Sequence, residues 1–266
     1  MLFFVIFFYF RRNRLSIVKS NGLNVKFKIL DYVMFVVLAA GMFLTLLIVN
    51  YFYSFFLQEI GYVFPSGPDV NNAWTFIAAL FIICVLPAVC EETVFRGAVL
   101  TGFSKGFSKK WAIVISALLF MLMHMSISQF VNTFLCGLAL AVVVKKTGST
   151  IPGMVMHFTN NFIIVVNTFI LSFSKNTSSE KITIDGETVL IFSLLAVLGA
   201  GLLIAGFVYI YKRFKSKKKT EEEIVENSLQ ELQISNGGIL GKKKTILYAL
   251  PGVALAITVT ILSIVL

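Results

Sequence analysis

The sequence predicts an all-α polytopic transmembrane helical bundle of about seven spans, and three observations carry that expectation. Apolar residues make up 58% of the 266, with 27 Phe set against only 23 basic and 13 acidic side chains. Soluble domains hold about a quarter charged residues, so this composition, with a mean hydropathy of +0.89, excludes an ordinary soluble globule. The apolar residues fall into runs that approach or exceed the roughly 20 residues needed to cross a hydrocarbon core. Finally, Lys and Arg alternate between successive connections, as the positive-inside rule requires.

The runs lie at 31–57, 73–100, 111–125, 130–144, 151–173, 189–211 and 246–266. The third and fourth are short, and the polar link 126–129 between them reads as a tight helical hairpin. Residues 1–10 are apolar but carry no basic residue in front and Arg11, Arg12 and Arg14 directly behind, which is the wrong order for a secretory signal. They read as an interfacial or half-inserted helix, with eight spans as the total if they insert.

Six basic residues precede the first span, three lie at 105–110, two at 145–146 and nine at 212–244, whereas the alternate connections hold only Lys175 and Lys181. The basic connections are therefore expected in the cytoplasm and the C-terminus outside. The net charge of +10 is thereby read as topology and not as a nucleic-acid footprint. The organisation expected is an N-terminal interfacial or cytoplasmic segment at 1–28, the first span and an external loop at 29–72, and a four-span core at 73–173. An external loop and sixth span follow at 174–211, then a charged cytoplasmic linker at 212–245 and a C-terminal span at 246–266. Within the linker, Thr220 and Glu223 form a capping-box pattern ahead of Ile224, Val225, Leu229 and Leu232, which predicts a short amphipathic helix.

Cys84, Cys90 and Cys136 sit inside apolar runs without a C-x-x-C pair, and read as small buried hydrophobes. Ionisable residues at membrane depth are expensive and point to function. Here they are Glu91, Glu92 and Arg96 in the second span, His124 at the end of the third, and His157 followed by Asn161 in the fifth. Helical spacing pairs Glu92 with Arg96, sets Phe120 beneath His124, and puts His157 and Asn161 on one face, while Glu91 stands about 100° round from Glu92. One wet internal cavity shared by all of them is cheaper than separate burials. A carboxylate beside an imidazole can take a proton from water, and an imidazole with an amide can donate to an oxyanion. That combination suits amide hydrolysis without a covalent intermediate.

These residues resemble the CAAX protease and bacteriocin-processing (CPBP, Abi) family of intramembrane endopeptidases. Its pattern is Glu-Glu-x-x-x-Arg, then Phe-x-x-x-His, then His-x-x-x-Asn, matched here by Glu91, Glu92 and Arg96, by Phe120 and His124, and by His157 and Asn161. Phe95-Arg96-Gly97, Gly137 and Thr147-Gly148-Ser149 add to the likeness, which spans about 73–170. The resemblance implies a protease whose cavity opens toward the cytoplasm. Glu91 and His124 would activate water, His157 and Asn161 would form the oxyanion hole, and Glu92 with Arg96 would hold the arrangement. It also allows a divalent metal such as zinc at Glu91, His124 and His157, although a metal-free mechanism without cofactor is the reading preferred for such sparse ligands on separate helices. His-Glu-x-x-His, a pair of intramembrane aspartates and an intramembrane Gly-x-Ser are all missing, so other intramembrane protease classes do not compete.

The partners expected are membrane lipid and a membrane-associated or lipidated peptide, with no nucleic acid and any regulatory membrane partner unidentified. A bacterial plasma membrane is the expected location. The alternative is a non-catalytic scaffold in bacteriocin immunity or sensor regulation. One tension is depth: at about 1.5 Å per residue, Glu91 lies roughly 14 Å from the cytoplasmic end of its span but His157 only about 9 Å from the start of its own.

Overall fold

The computed structural model describes residue 11 and residues 16–65, 67–173 and 181–214, and among them every regular element is helical. The first span is α1, Ile29–Glu59. The second is α2, Ala73–Gly106, whose α-helical turns are interrupted by wider π-type stretches at Leu80–Val85 and Thr93–Val99. There follow α3 at Lys109–Met123 and α4 at Phe130–Thr147, the latter entered through a 3-10 turn at Ile127–Gln129. Last come α5 at Ile151–Ser172 and α6 at Gly186–Arg213.

Five of these helices are long and apolar enough to cross a membrane: α1, α2, α4 with its entry turn, α5 and α6. The expected third run forms a helix, the first of the short pair expected as a hairpin. At 15 residues α3 reaches about 22 Å, short of a hydrocarbon core. It stops where His124 caps it and Met125 turns the chain back at a φ of 46°, which makes the tight hairpin with α4. The expected seventh span at 246–266, the run 1–10 and the amphipathic helix of the linker lie outside the described residues.

Local chemistry sets the helix ends. Asn72 Oδ1 accepts from the Trp74 and Thr75 N–H groups at 3.0 Å each and starts α2, and Asp185 Oδ1 does the same for α6 through the Thr188 N–H at 2.8 Å. Gly148 ends α4 in the left-handed region, where a side chain would be strained.

Long-range hydrogen bonds fix which ends lie together. Arg213 Nε donates to Asp31 Oδ1 at 3.3 Å, Lys145 Nζ donates to Ser104 Oγ at 2.8 Å, and the Thr150 N–H donates to the Asn21 carbonyl at 2.9 Å. These bonds gather the Lys- and Arg-rich connections at one end of the bundle. At the other end, Gln58 Nε2 donates to the Ile182 carbonyl at 2.9 Å and the Tyr51 hydroxyl donates to that of Thr183.

Helices α1 and α6 approach backbone to backbone. A Cβ built on Gly199 would stand 2.7 Å from the Gly41 carbonyl oxygen, and one on Gly41 would stand 2.9 Å from that of Gly199. Small residues at such crossings let helices gain packing that lipid cannot supply. The contact is closed at the basic end by buried Asp31, which accepts from the Lys28 N–H, the Tyr209 hydroxyl and Arg213. Gly199→Val should separate the two helices and lower the melting temperature of detergent-solubilised protein, whereas the same change at Gly201, which has open space beside it, should be near neutral.

The core joins the first helix to the later ones through Phe35, Leu38, Leu140, Val143, Met156 and Ile210. The α4–α5 turn is buried, with Thr147, Ser149 and Thr150 at 5%, 1% and 1% exposure, and α5 brings His157 Nδ1 to 3.0 Å from Glu92 Oε1 despite the difference in residue count from the span ends.

Candidate active site

Helix α2 carries the acidic pair, and its shape there departs from the regular helix that sequence spacing assumes. A π-type stretch bonds each N–H five residues back, so a carbonyl is released for other partners; such stretches concentrate at functional sites. Ser116 of α3 donates from Oγ to the Phe95 carbonyl at 3.0 Å, and Asn161 of α5 donates from Nδ2 to the Ile83 carbonyl at 2.8 Å. Each widened stretch is therefore tied to a neighbouring helix by a side chain.

Glu92 and Arg96 form the expected pair one turn apart, with Arg96 Nη1 2.8 Å from Glu92 Oε1 and both side chains fully buried. Arg96 Nη2 also donates to the Gly137 carbonyl of α4 at 3.2 Å, and its guanidinium carbon lies 4.3 Å from the centre of the Phe120 ring. From α5, His157 Nδ1 meets the same Glu92 Oε1 at 3.0 Å. Phe120 is the shared wall: its ring lies edge-on to His157 at 5.7 Å and to His124 at 4.8 Å. Four helices thus converge through Arg96, Glu92, His157, Phe120 and Gly137.

The remaining expected residues stand around this centre. Glu91 is only partly buried, yet its Oε2 is shut from water and has no hydrogen-bond partner. His124 is partly exposed and directs Nδ1 to the Phe120 carbonyl at 2.9 Å. A carbonyl only accepts, so Nδ1 carries the proton and Nε2 keeps its lone pair. No hydrogen bond links Glu91 to His124 among the described residues. By the same reasoning His157 donates from Nδ1 to the Glu92 carboxylate, and its Nε2 bears a proton only in the imidazolium form. Asn161 has one amide hydrogen committed to Ile83 and a second left for other use.

Spacing did not single out Gly153, yet it sits one turn before His157 on the same face of α5. A Cβ there would fall 2.6 Å from Glu92 Oε2 and 3.0 Å from Val144 Cγ2. That absence of side chain is what lets Glu92 slide against α5 and reach His157. Its i, i+4 relation to His157 was the available signal. Gly153→Ala should push the carboxylate away, break the His157 contact and lower activity more than it lowers melting temperature.

A metal ion is a poor fit to these residues. Among the described residues no group of three His, Cys, Asp or Glu side chains stands close enough to hold one. The set Glu91, His124 and His157 therefore does not assemble as a ligand triad. Two clefts of about 500 and 460 Å³, one between α4 and α6 and one between α1 and the start of α6, lie away from the cluster.

Residues 73–163 match the family model described as type II CAAX prenyl endopeptidase, Rce1-like. The matched segment, about a third of the chain, holds all three motifs from Glu91 to Asn161, and over that segment the match supports the resemblance to the CAAX protease family that the motifs carry. No curated protein and no solved structure matches the chain.

Proposed function

We propose that this chain is an intramembrane endopeptidase that hydrolyses a peptide bond in a membrane-associated or lipidated peptide, using water activated by Glu91 and His124. The observation that carries the reading is the contrast between two adjacent carboxylates. Glu92 is ion-paired through Oε1 to both Arg96 and His157, whereas no side-chain ion pair or hydrogen bond among the described residues engages Glu91; Oε2 of each carboxylate is buried without a hydrogen-bond partner. Leaving a buried polar group unsatisfied costs about 1–3 kcal/mol, which is a reason to expect that the group faces something it binds.

In this scheme a water molecule donates to Glu91 and to the free lone pair of His124 Nε2. Glu91 takes its proton as the oxygen attacks the scissile carbonyl, and the proton passes to the leaving amine as the tetrahedral intermediate collapses. His157, as imidazolium held by Glu92, donates from Nε2 to the oxyanion together with the second amide hydrogen of Asn161. Arg96 neutralises Glu92 and so keeps a second buried charge from opposing that of Glu91. No step needs a metal, so chelator should leave the rate unchanged.

His157→Asn should lower kcat, because the group that donates to the oxyanion is lost. An unchanged kcat in that variant would contradict the assignment.

The basic end of the bundle is read as cytoplasmic and the membrane as a bacterial plasma membrane. Substrate class is tested with paired peptides, with and without a lipid on a cysteine near the C-terminus, presented in vesicles to wild type and Glu91→Ala. Cleavage of the lipidated member alone, absent in the variant, supports a CAAX-type substrate. The competing reading, a non-catalytic scaffold, draws on the bonds that His124 and Asn161 already make to backbone carbonyls. It requires function to survive in Glu91→Ala.

A further inference from the structure

The N-terminal segment contributes a part of the bundle that neither the three motifs nor the family match includes. Ile17–Ser20 forms one helical turn, capped by Asn21, and the next residue, Gly22, takes a φ of +58°. Asn21 is 1% exposed although it lies in a polar, basic stretch. Its carbonyl accepts from the Thr150 N–H at 2.9 Å and from Thr150 Oγ1 at 3.2 Å, while its Nδ2 donates back to the Ile17 carbonyl at 2.9 Å.

The other side of the same residue presses on α2. A Cβ added at Gly97 would lie 2.0 Å from Asn21 Oδ1 and 2.6 Å from its Cγ, so the asparagine occupies the volume a side chain would take. Gly22 is equally close to the α4–α5 turn, where a Cβ would stand 2.0 Å from the Gly148 carbonyl oxygen. The segment therefore touches α2 one residue beyond Arg96, and touches α5 at the residue before its first turn.

We infer that Asn21 is a positioning residue of the active site: it clamps the second π-type stretch of α2 to the start of α5 and so sets the reach of His157 to Glu92. The two jaws are different parts of one residue, the backbone carbonyl on Thr150 and the side chain on Gly97. Both act on helices whose polar side chains meet one to two turns further in, where small displacements matter most. Misplacement by about 1 Å costs on the order of 100-fold in rate for a pre-organised centre.

This inference rests on the endopeptidase reading for its kinetic consequence but not for its geometry, so two readouts are needed. Gly97→Ala is expected to lower kcat on the order of 10- to 100-fold with KM nearly unchanged, because the methyl group displaces Asn21. Hydrogen exchange should quicken together in peptides covering 17–24 and 150–157. Asn21→Ala combined with Gly97→Ala removes the collision, and is expected to recover kcat relative to Gly97→Ala alone. Exchange and kcat both unchanged in well-folded Gly97→Ala would overturn the clamp, as would a double variant no better than additive. Coupled exchange in a wild type that cleaves no peptide would support the clamp and overturn the endopeptidase reading.

Discussion

Glu91→Gln should lower kcat on the order of 100- to 10,000-fold, the range by which a positioned general base accelerates proton transfer, while leaving the protein as stable as wild type or slightly more so. The stability half of this expectation is as informative as the kinetic half. Gln fills the same volume, and the Glu91 Oε2 that has no partner is replaced by a neutral group that is cheaper to bury. A residue kept only for packing would show the opposite pattern. Full activity in Glu91→Gln, measured by product formation from the same peptide, would remove Glu91 from the mechanism.

Arg96→Ala should have the largest effect on folding, a loss of about 3–5 kcal/mol, because it strands the Glu92 carboxylate at 0% exposure with only His157 beside it. It also removes the bond to the Gly137 carbonyl and the contact with Phe120, so three helices lose their common partner. Replacing both charges, as in Glu92→Gln with Arg96→Met, should be much less destabilising than Arg96→Ala alone, since no charge is left unpaired. Thermal melting in detergent separates these cases. Similar melting temperatures for Arg96→Ala and wild type would mean that the pair contributes no more than an exposed ion pair does.

Much of this bundle was legible because a membrane imposes simple accounting. Every backbone group must be bonded within the span, so apolar length announces a helix, and the few charges announce what the helices hide. That logic gave the six longer helices, the hairpin of α3 and α4, and the Glu92–Arg96 pair. It missed the shape of α2. Nothing in Leu80–Val85 or Thr93–Val99 marks a wider turn, because the stretch is held from outside by Asn161 and Ser116. The same is true of Asn21, whose importance lies in what other elements place against it. Such contacts exist only after the chain has packed, and spacing along one element does not contain them.

Depth was the other uncertain quantity. Counting residues from each span end left Glu91 and His157 several ångströms apart along the membrane normal. The structure nonetheless brings His157 to Glu92 at 3.0 Å, with the start of α5 buried under the Asn21–Gly22 turn. The segment ahead of the first span thus bears on the site as well as on topology.

The measurement that tests the central claim most directly is mass-spectrometric detection of peptide cleavage by the purified full chain in vesicles, with and without chelator. The account predicts a defined cut in a membrane-associated peptide and the same rate when divalent metal is removed. A folded protein that cuts no peptide of either kind, or one whose cleavage is lost with chelator and restored by zinc, would contradict it.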